Sequence, residues 1–128
     1  MIDSVSVGID IVDINRFRNL TLKKNPKFFE KIFSKSELTY CLKFKNSSEH
    51  FAGKFAVKEC VRKCVGKNVR FIDIITSHKN SGPQVMIKNK PEYDFRVSIS
   101  HEKNIAIAIG AARAHEPGAA WGCPERCP

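Results

Sequence analysis

One stretch constrains this chain more than any other: His50-Phe51-Ala52-Gly53-Lys54-Phe55-Ala56-Val57-Lys58-Glu59-Cys60-Val61-Arg62-Lys63-Cys64-Val65. It reads as a single helix that is apolar nearly all the way round. At about 3.6 residues per turn, Phe51, Ala52, Phe55 and Ala56 form one arc, and Val57, Val61, Cys64 and Val65 close the other side. A helix of that kind is enclosed by its domain, so the acid in its middle, Glu59, is expected in a poor place for a charge. An unpaired buried carboxylate costs several kcal/mol, and such a group is normally ion-paired, metal-bound or protonated. Lys63, one turn on, is a possible ion-pair partner, and Lys54, Lys58 and Arg62 add further positive charge to the same helix.

The remainder of the chain supplies elements to enclose it. Residues 4–12 alternate as a strand, with Val5, Val7, Ile9 and Ile11 on one face and Ser4, Ser6, Gly8 and Asp10 on the other. Asp10 thus stands among small polar residues, beside a glycine that leaves room for a ligand. Asp13 has the position of an N-cap for a helix starting near Ile14. Short helices are expected over 14–22, 27–33 and 37–44, the last opened by the capping-box spacing of Ser34-Lys35-Ser36-Glu37. Asn46-Ser47-Ser48-Glu49 repeats that signature before the long helix, and Gly66 is its natural stop. Later, 71–76 and 84–87 read as two strands around a turn-rich segment ending in Pro83. The segments 96–100 and 104–109 read as two more, with His101-Glu102-Lys103 between them. Helices gathered early and hairpins late define an α+β domain: an antiparallel sheet of hairpins packed on a long buried helix, with short N-terminal helices. The domain is expected to span 1–113, and residues 114–128, which lack periodicity, form a loose tail outside it.

Composition narrows the functional classes. At 128 residues with 42% hydrophobic content the chain has enough material for one globular core. No apolar run approaches the ~20 residues needed to span a membrane, and nothing near the start resembles a secretory signal, so a cytoplasmic protein is expected. The five cysteines include Cys60 and Cys64, and Cys123 and Cys127, at matching spacing. A four-thiolate zinc site is conceivable on that spacing, but buried free thiols account for the helical pair. The net charge of +9 points to an acidic partner. Between positions 16 and 35, Arg16, Arg18, Lys23, Lys24, Lys27, Lys31 and Lys35 face only Glu30, either as an ordinary solvated face or as a docking face.

Three polar features stand against apolar surroundings: Asp10, Glu59 and Ser100-His101. Two carboxylates from different elements form a hard-oxygen pair suited to Mg²⁺, which takes one or two carboxylates, keeps waters and completes its shell with substrate phosphates. Each feature has a plain structural reading: a cap or ion pair for Asp10, a Lys63 pair for Glu59, turn chemistry for Ser100-His101. Together with the basic charge they favour metal-assisted chemistry on a phosphate-bearing substrate, and they do not name it. A small nucleic-acid-binding domain would call for aromatics among basic residues on a sheet face, whereas these strands carry Ile and Val. A Mg²⁺-dependent phosphodiesterase would share the acid pair.

Val7-Gly8-Ile9-Asp10-Ile11-Val12, Phe51-Ala52-Gly53-Lys54-Phe55-Ala56-Val57-Lys58-Glu59-Cys60 and Val97-Ser98-Ile99-Ser100-His101 resemble, in that order, three segments of the holo-acyl-carrier-protein synthases. These are the small bacterial 4′-phosphopantetheinyl transferases, and the likeness runs from residue 1 to about 112. It implies the fold of that family and a Mg²⁺-dependent reaction supporting fatty acid biosynthesis. In it the phosphopantetheine arm of coenzyme A passes to a serine of apo acyl carrier protein, and adenosine 3′,5′-bisphosphate leaves. By the resemblance, Asp10 and Glu59 are catalytic and hold the metal, with Glu59 or a water it orients as the base. Lys63 meets the phosphates, Phe55 and Lys54 belong to the coenzyme A site, and Pro83, Ile99, Ser100 and His101 form its adenine and 3′-phosphate end. The resemblance also implies a homotrimer with sites between subunits, and an acidic carrier docking on Arg16, Lys24 and Lys27.

Overall fold

The computed structural model describes residues 5–80 and 82–115 of the chain. In order these form β1 (Val5–Asp13), α1 (Asn15–Asn19), α2 (Pro26–Ile32), α3 (Lys35–Leu42) and α4 (Ser47–Val65). A single 3₁₀ turn (Phe71–Asp73) follows, then β2 (Ile74–Lys79), β3 (Gly82–Ile87), β4 (Tyr93–Glu102) and β5 (Ile105–Ala114). All strand pairing is antiparallel, but it makes two sheets rather than one: β1-β5-β4, and the hairpin β2-β3. Of the tail expected over 114–128, Ala114 instead belongs to β5 and the His115 N–H donates to the Glu92 carbonyl at 2.9 Å, while residues 116–128, with Cys123 and Cys127, lie outside the described residues.

The long helix is the centre of the domain. The inner face of β1-β5-β4 packs on one side of α4, and α1 and α3 pack on the other. Residues 51–58 are all buried, Ala52 and Ala56 completely. Phe17, Phe28, Phe29 and Phe33 from the short helices meet Phe51 and Phe55 in one aromatic cluster, with ring centroids 5.0–6.4 Å apart. Edge-to-face and tilted pairs of this kind explain how α1 and α2, each too short to be stable alone, are held in place.

Helix ends are partly as the sequence predicts. Ser34 and Glu37 form the reciprocal capping box: the Ser34 hydroxyl accepts from Glu37 N–H at 3.3 Å and Glu37 accepts from Ser34 N–H at 2.8 Å. Gly66 closes α4 at φ 111°, a conformation that favours glycine. The second predicted box does not form, since Asn46 makes no side-chain cap bond, and Glu49 instead lines a cavity beside His50. Asp13 accepts from Asn15 N–H at 2.9 Å, one residue before a regular cap would act, and the position adjoining the helix is Ile14. Residues 71–73 form the 3₁₀ turn instead of strand, and β4 runs on through His101 to Glu102, so His101 belongs to a strand.

The sidedness of β1 is the main surprise. Val7, Ile9 and Ile11 are 66, 58 and 63% exposed, while Gly8 and Val12 are buried against α4. The cause is a close approach of main chains. A Cβ at position 8 would lie 2.6 Å from the Cys60 carbonyl oxygen, and one at position 110, opposite in register, would lie 2.9 Å from Cys60 Sγ. Gly8 therefore makes room for the helix backbone and not for a ligand. Gly8→Ala is expected to push β1 off α4 and to lower the unfolding free energy by about 1–3 kcal/mol in urea titration. A change within error would show that the strand yields freely.

Candidate active site

The same close approach sets the geometry around Asp10. β1 crosses α4 so that Lys63 Nζ donates to the Ile9 carbonyl at 2.8 Å and meets Asp10 Oδ1 at 3.2 Å. Asp10 is 15% exposed at its side chain and Lys63 53%, so the pair sits at the edge of the domain with its lysine in solvent. Ile9, Asp10, Ile11, Lys63 and Ile107 line an open groove of about 340 Å³ there.

Glu59 lies one helical turn before Lys63 on α4. It is half-buried, the single position from 51 to 61 that is not buried. Its ion-pair partner is not Lys63, which is taken by Asp10, and the Glu59 side chain makes no hydrogen bond or ion pair among the described residues. The acid is therefore not the enclosed charge that the helix pattern predicts. Arg62, the next basic side chain, turns away: its Nη2 donates to the Lys67 carbonyl at 3.0 Å and its guanidinium lies 4.3 Å over the Phe71 ring.

The enclosed charges on α4 are Lys54 and Lys58, 2% and 0% exposed, and they meet Glu37, which is 1% exposed. Lys58 Nζ contacts Glu37 Oε1 at 2.7 Å and also donates to the carbonyls of Ile32 and Phe71, so each ammonium hydrogen has an acceptor. Thr76 donates to Glu37 Oε2 from both its hydroxyl (2.6 Å) and its N–H (2.8 Å), and Lys54 Nζ donates to the Thr76 hydroxyl at 2.8 Å. Burial pushes the Glu37 carboxyl up, but the Lys58 charge and the bonds from Lys58, Thr76 and Ser34 more than offset it and leave it below its ordinary value. Burial pulls Lys54 and Lys58 down, opposed in both by Glu37. The sequence reading missed this network, because Glu37 was already accounted for as a cap. The signal it offered was two lysines on the apolar arcs of α4, which demand an internal acid.

Lys54 also lines a second cavity of about 370 Å³ with Pro83, Ile99, His101, His50, His78 and Glu49. Lys54, assigned to the coenzyme A site, is thus brought together with three of the four residues assigned to its nucleotide end, Pro83, Ile99 and His101. Ser100 is not. It pairs in register with Ile107 on the outward face of the sheet, while Ile99 points to α4 and packs 3.4 Å from the Cβ position of Gly53. Phe55 lines neither cavity; it is 6% exposed in the aromatic cluster, under the Arg16 guanidinium at 5.2 Å. His50 stacks on Phe44 (3.8 Å) and His78 on Tyr40 (4.7 Å), and the Lys54 ammonium lies 4.7 Å over the same Tyr40 ring. Burial lowers both imidazoles from their usual value, and Lys54 lowers them further, although Glu49 pulls His50 the other way. The Asp10 groove and the Lys54 cavity share no lining residue.

Among the described residues no cluster of three or more His, Cys, Asp or Glu could hold a metal ion on its own. Cys60 and Cys64 are free thiols, as expected, donating to the carbonyls of Gly8 (3.0 Å) and of Ser6 and Gly110. Burial pushes Cys60 up to about 11, which keeps it a neutral thiol. Of the two carboxylates expected to hold a cation, Asp10 lines the groove, and Glu59 lies one helical turn before the groove's Lys63 on α4. That donor set fits Mg²⁺, which needs few protein ligands when a phosphate substrate completes its shell.

An antiparallel sheet packed on a long buried helix is the fold of a known enzyme class, and comparison with known proteins identifies that class. A family model described as the 4′-phosphopantetheinyl transferase superfamily matches residues 6–110, and the chain belongs to that family. Within it, the chain is similar to the holo-[acyl-carrier-protein] synthases. It is 35% identical to that of Clostridium acetobutylicum over 114 residues, covering 80% of this chain and 91% of the relative. It is 39% identical to that of Ehrlichia chaffeensis over 114 residues, covering 82% and 93%. The crystal structure of the Bacillus anthracis synthase, in complex with CoA (3′,5′-ADP), superposes with a TM-score of 0.72 at 32% identity, covering 86% of this chain and 96% of that one.

Proposed function

We propose that this protein is a holo-acyl-carrier-protein synthase that transfers the 4′-phosphopantetheine arm of coenzyme A to a serine hydroxyl of apo acyl carrier protein, releasing adenosine 3′,5′-bisphosphate. The observation that carries the reading is the Asp10–Lys63 pair lining an open groove, with Glu59 one helical turn before Lys63 on α4, in a chain of this family. Asp10 and Glu59 would hold Mg²⁺, and a bound divalent ion there supplies neutralisation of charge developing on the pyrophosphate oxygen as the bisphosphate leaves. Lys63, half in solvent, reaches the same phosphates as a point charge. Glu59, or a water it orients, takes the proton of the attacking serine.

The nucleotide end of coenzyme A would occupy the cavity of Lys54, Pro83, Ile99 and His101. Because that cavity is separate from the Asp10 groove, one coenzyme A molecule spans both most simply when they come from neighbouring subunits. The exposed apolar face of β1 and β5, where Ile9 stands opposite Ile109 and Ile11 opposite Ile107, supports a homotrimer that covers it. The acidic carrier would dock on the exposed Arg16, Lys24 and Lys27 of α1, α2 and the segment between them, in the cytoplasm and in the service of fatty acid synthesis. No helix among the described residues is long and apolar enough to cross a membrane.

The deciding assay incubates the protein with coenzyme A, Mg²⁺ and an apo acyl carrier protein and follows the intact mass of the carrier. A gain of one phosphopantetheine is expected. Hydrolysis of coenzyme A with no mass gain would identify a phosphodiesterase instead. Charge steering makes a second measurement informative: raising salt should weaken carrier binding several-fold more than coenzyme A binding. Equal loss of both would reject the basic docking face.

A further inference from the structure

A third cavity, of about 500 Å³, opens between α2, the end of α4 and the segment that follows it. It is lined by Glu30, Lys31, Arg62, Lys67, Val69, Arg70, Phe71 and Ile72, none of which borders the Asp10 groove or the Lys54 cavity. Four cations meet here. Arg70 is neutralised by Asp73, at 2.9 and 3.2 Å, which leaves Lys31, Arg62 and Lys67 against Glu30. Lys31, Lys67 and Glu30 are exposed, and their side chains make no hydrogen bond or ion pair among the described residues.

Arg62 supplies the independent observation. Its guanidinium is fixed over Phe71, with Nη2 on the Lys67 carbonyl, and its Nε is the one buried side-chain nitrogen or oxygen among the described residues with no hydrogen-bond partner. A buried donor left unsatisfied destabilises the pose that leaves it so. A small rotation that opened Nε and Nη2 toward the cavity would present the forked donor pair that matches a phosphate edge-on. The lining is also amphipathic: Val69, Phe71 and Ile72 form an apolar wall beside the charges, as in a site for a small ligand with an organic body.

We infer that this cavity is a second phosphate-binding site, in which Arg62 and Lys67 grip the phosphate group of a small molecule and the wall of Val69, Phe71 and Ile72 takes its body. The ligand carries two negative charges or more, to match the surplus of cations. A phosphate ester meets both requirements; free phosphate meets the first alone.

Titration of the ¹⁵N-labelled full chain by TROSY NMR, without divalent metal, tests this with two probes, inorganic phosphate and phenyl phosphate. Saturable shifts are expected in the amides of Lys31 and of residues 67–72, separable from any shifts around Asp10 and Lys63. Phenyl phosphate should bind about tenfold more tightly than phosphate if the apolar wall is used; equal affinity would assign the site to the free anion. Arg62→Gln and Lys67→Gln, the latter at an exposed position, should each weaken the 67–72 response about tenfold while leaving any response at Asp10 in place. Lack of a saturable response in 67–72, or a response that Lys67→Gln leaves unchanged, would overturn the assignment.

Discussion

Glu37→Gln is expected to lower the unfolding free energy by about 3–5 kcal/mol, the typical cost of removing one partner of a fully buried ion pair. The carboxylate is completely used. One oxygen holds Lys58 and the Ser34 N–H, and the other holds both donors of Thr76. Glutamine keeps the shape but loses the charge, and its amide nitrogen must face one of these donors, so at least one buried bond becomes a clash of hydrogens. Lys58 then remains in the core as an uncompensated cation, with Lys54 close behind it. Equilibrium urea unfolding measures the cost, and a loss under 1 kcal/mol would show that water reaches the network. The pH dependence has a definite sign. The folded carboxyl lies below its ordinary value of 4.5, so its contribution is complete above that value and is lost as pH falls beneath it. The gap between wild type and Glu37→Gln should therefore narrow in acid. A double replacement, Glu37→Leu with Lys58→Met, should cost less than the sum of the single changes, because neither charge is then left alone.

That network also shows where reading the sequence stopped. The long helix, its Gly66 stop, the Ser34–Glu37 box and the two late hairpins follow from local patterns, and local patterns survive folding where short-range geometry sets them. A helical wheel, however, assigns burial only by the company a residue keeps. Around α4 that company is apolar on every side, so the wheel buries Glu59 and treats Lys54 and Lys58 as equivalent to Lys63. The folded domain distinguishes them by what covers each line of the helix. The sheet covers one side, the short helices cover the other, and the seam left open runs through Glu59 and Lys63. Alternation in β1 likewise separates two faces without saying which is covered. The inner face is the one with Gly8, because only a missing side chain lets the Cys60 carbonyl approach. Asp10 was legible as a candidate since it shares that face; its contact with Lys63 required the register of β1 on α4, which spacing cannot supply.

The seam makes the catalytic prediction unusually clean. Asp10→Ala and Glu59→Ala should each reduce phosphopantetheine transfer by at least about a hundredfold, the usual cost of deleting a group that stabilises charge in the transition state. Yet neither should weaken the fold much. The Glu59 side chain makes no hydrogen bond or ion pair among the described residues, so its loss should fall within about 0.5 kcal/mol of neutral. Asp10 gives up an ion pair with a lysine that is 53% exposed, which is worth about 1 kcal/mol or less after solvent screening. Activity and stability are thus predicted to separate here and to fall together in Glu37→Gln, whose carboxylate touches no substrate. Lys63→Ala adds a third signature. It should raise the KM for coenzyme A, and it should also release Asp10 from its one charged partner among the described residues, so that the Mg²⁺ concentration needed for half-maximal rate falls. Near-normal turnover in Asp10→Ala or Glu59→Ala would reject the shared-metal reading. A metal requirement unmoved by Lys63→Ala would mean that the lysine and the ion do not compete for the same carboxylate oxygen.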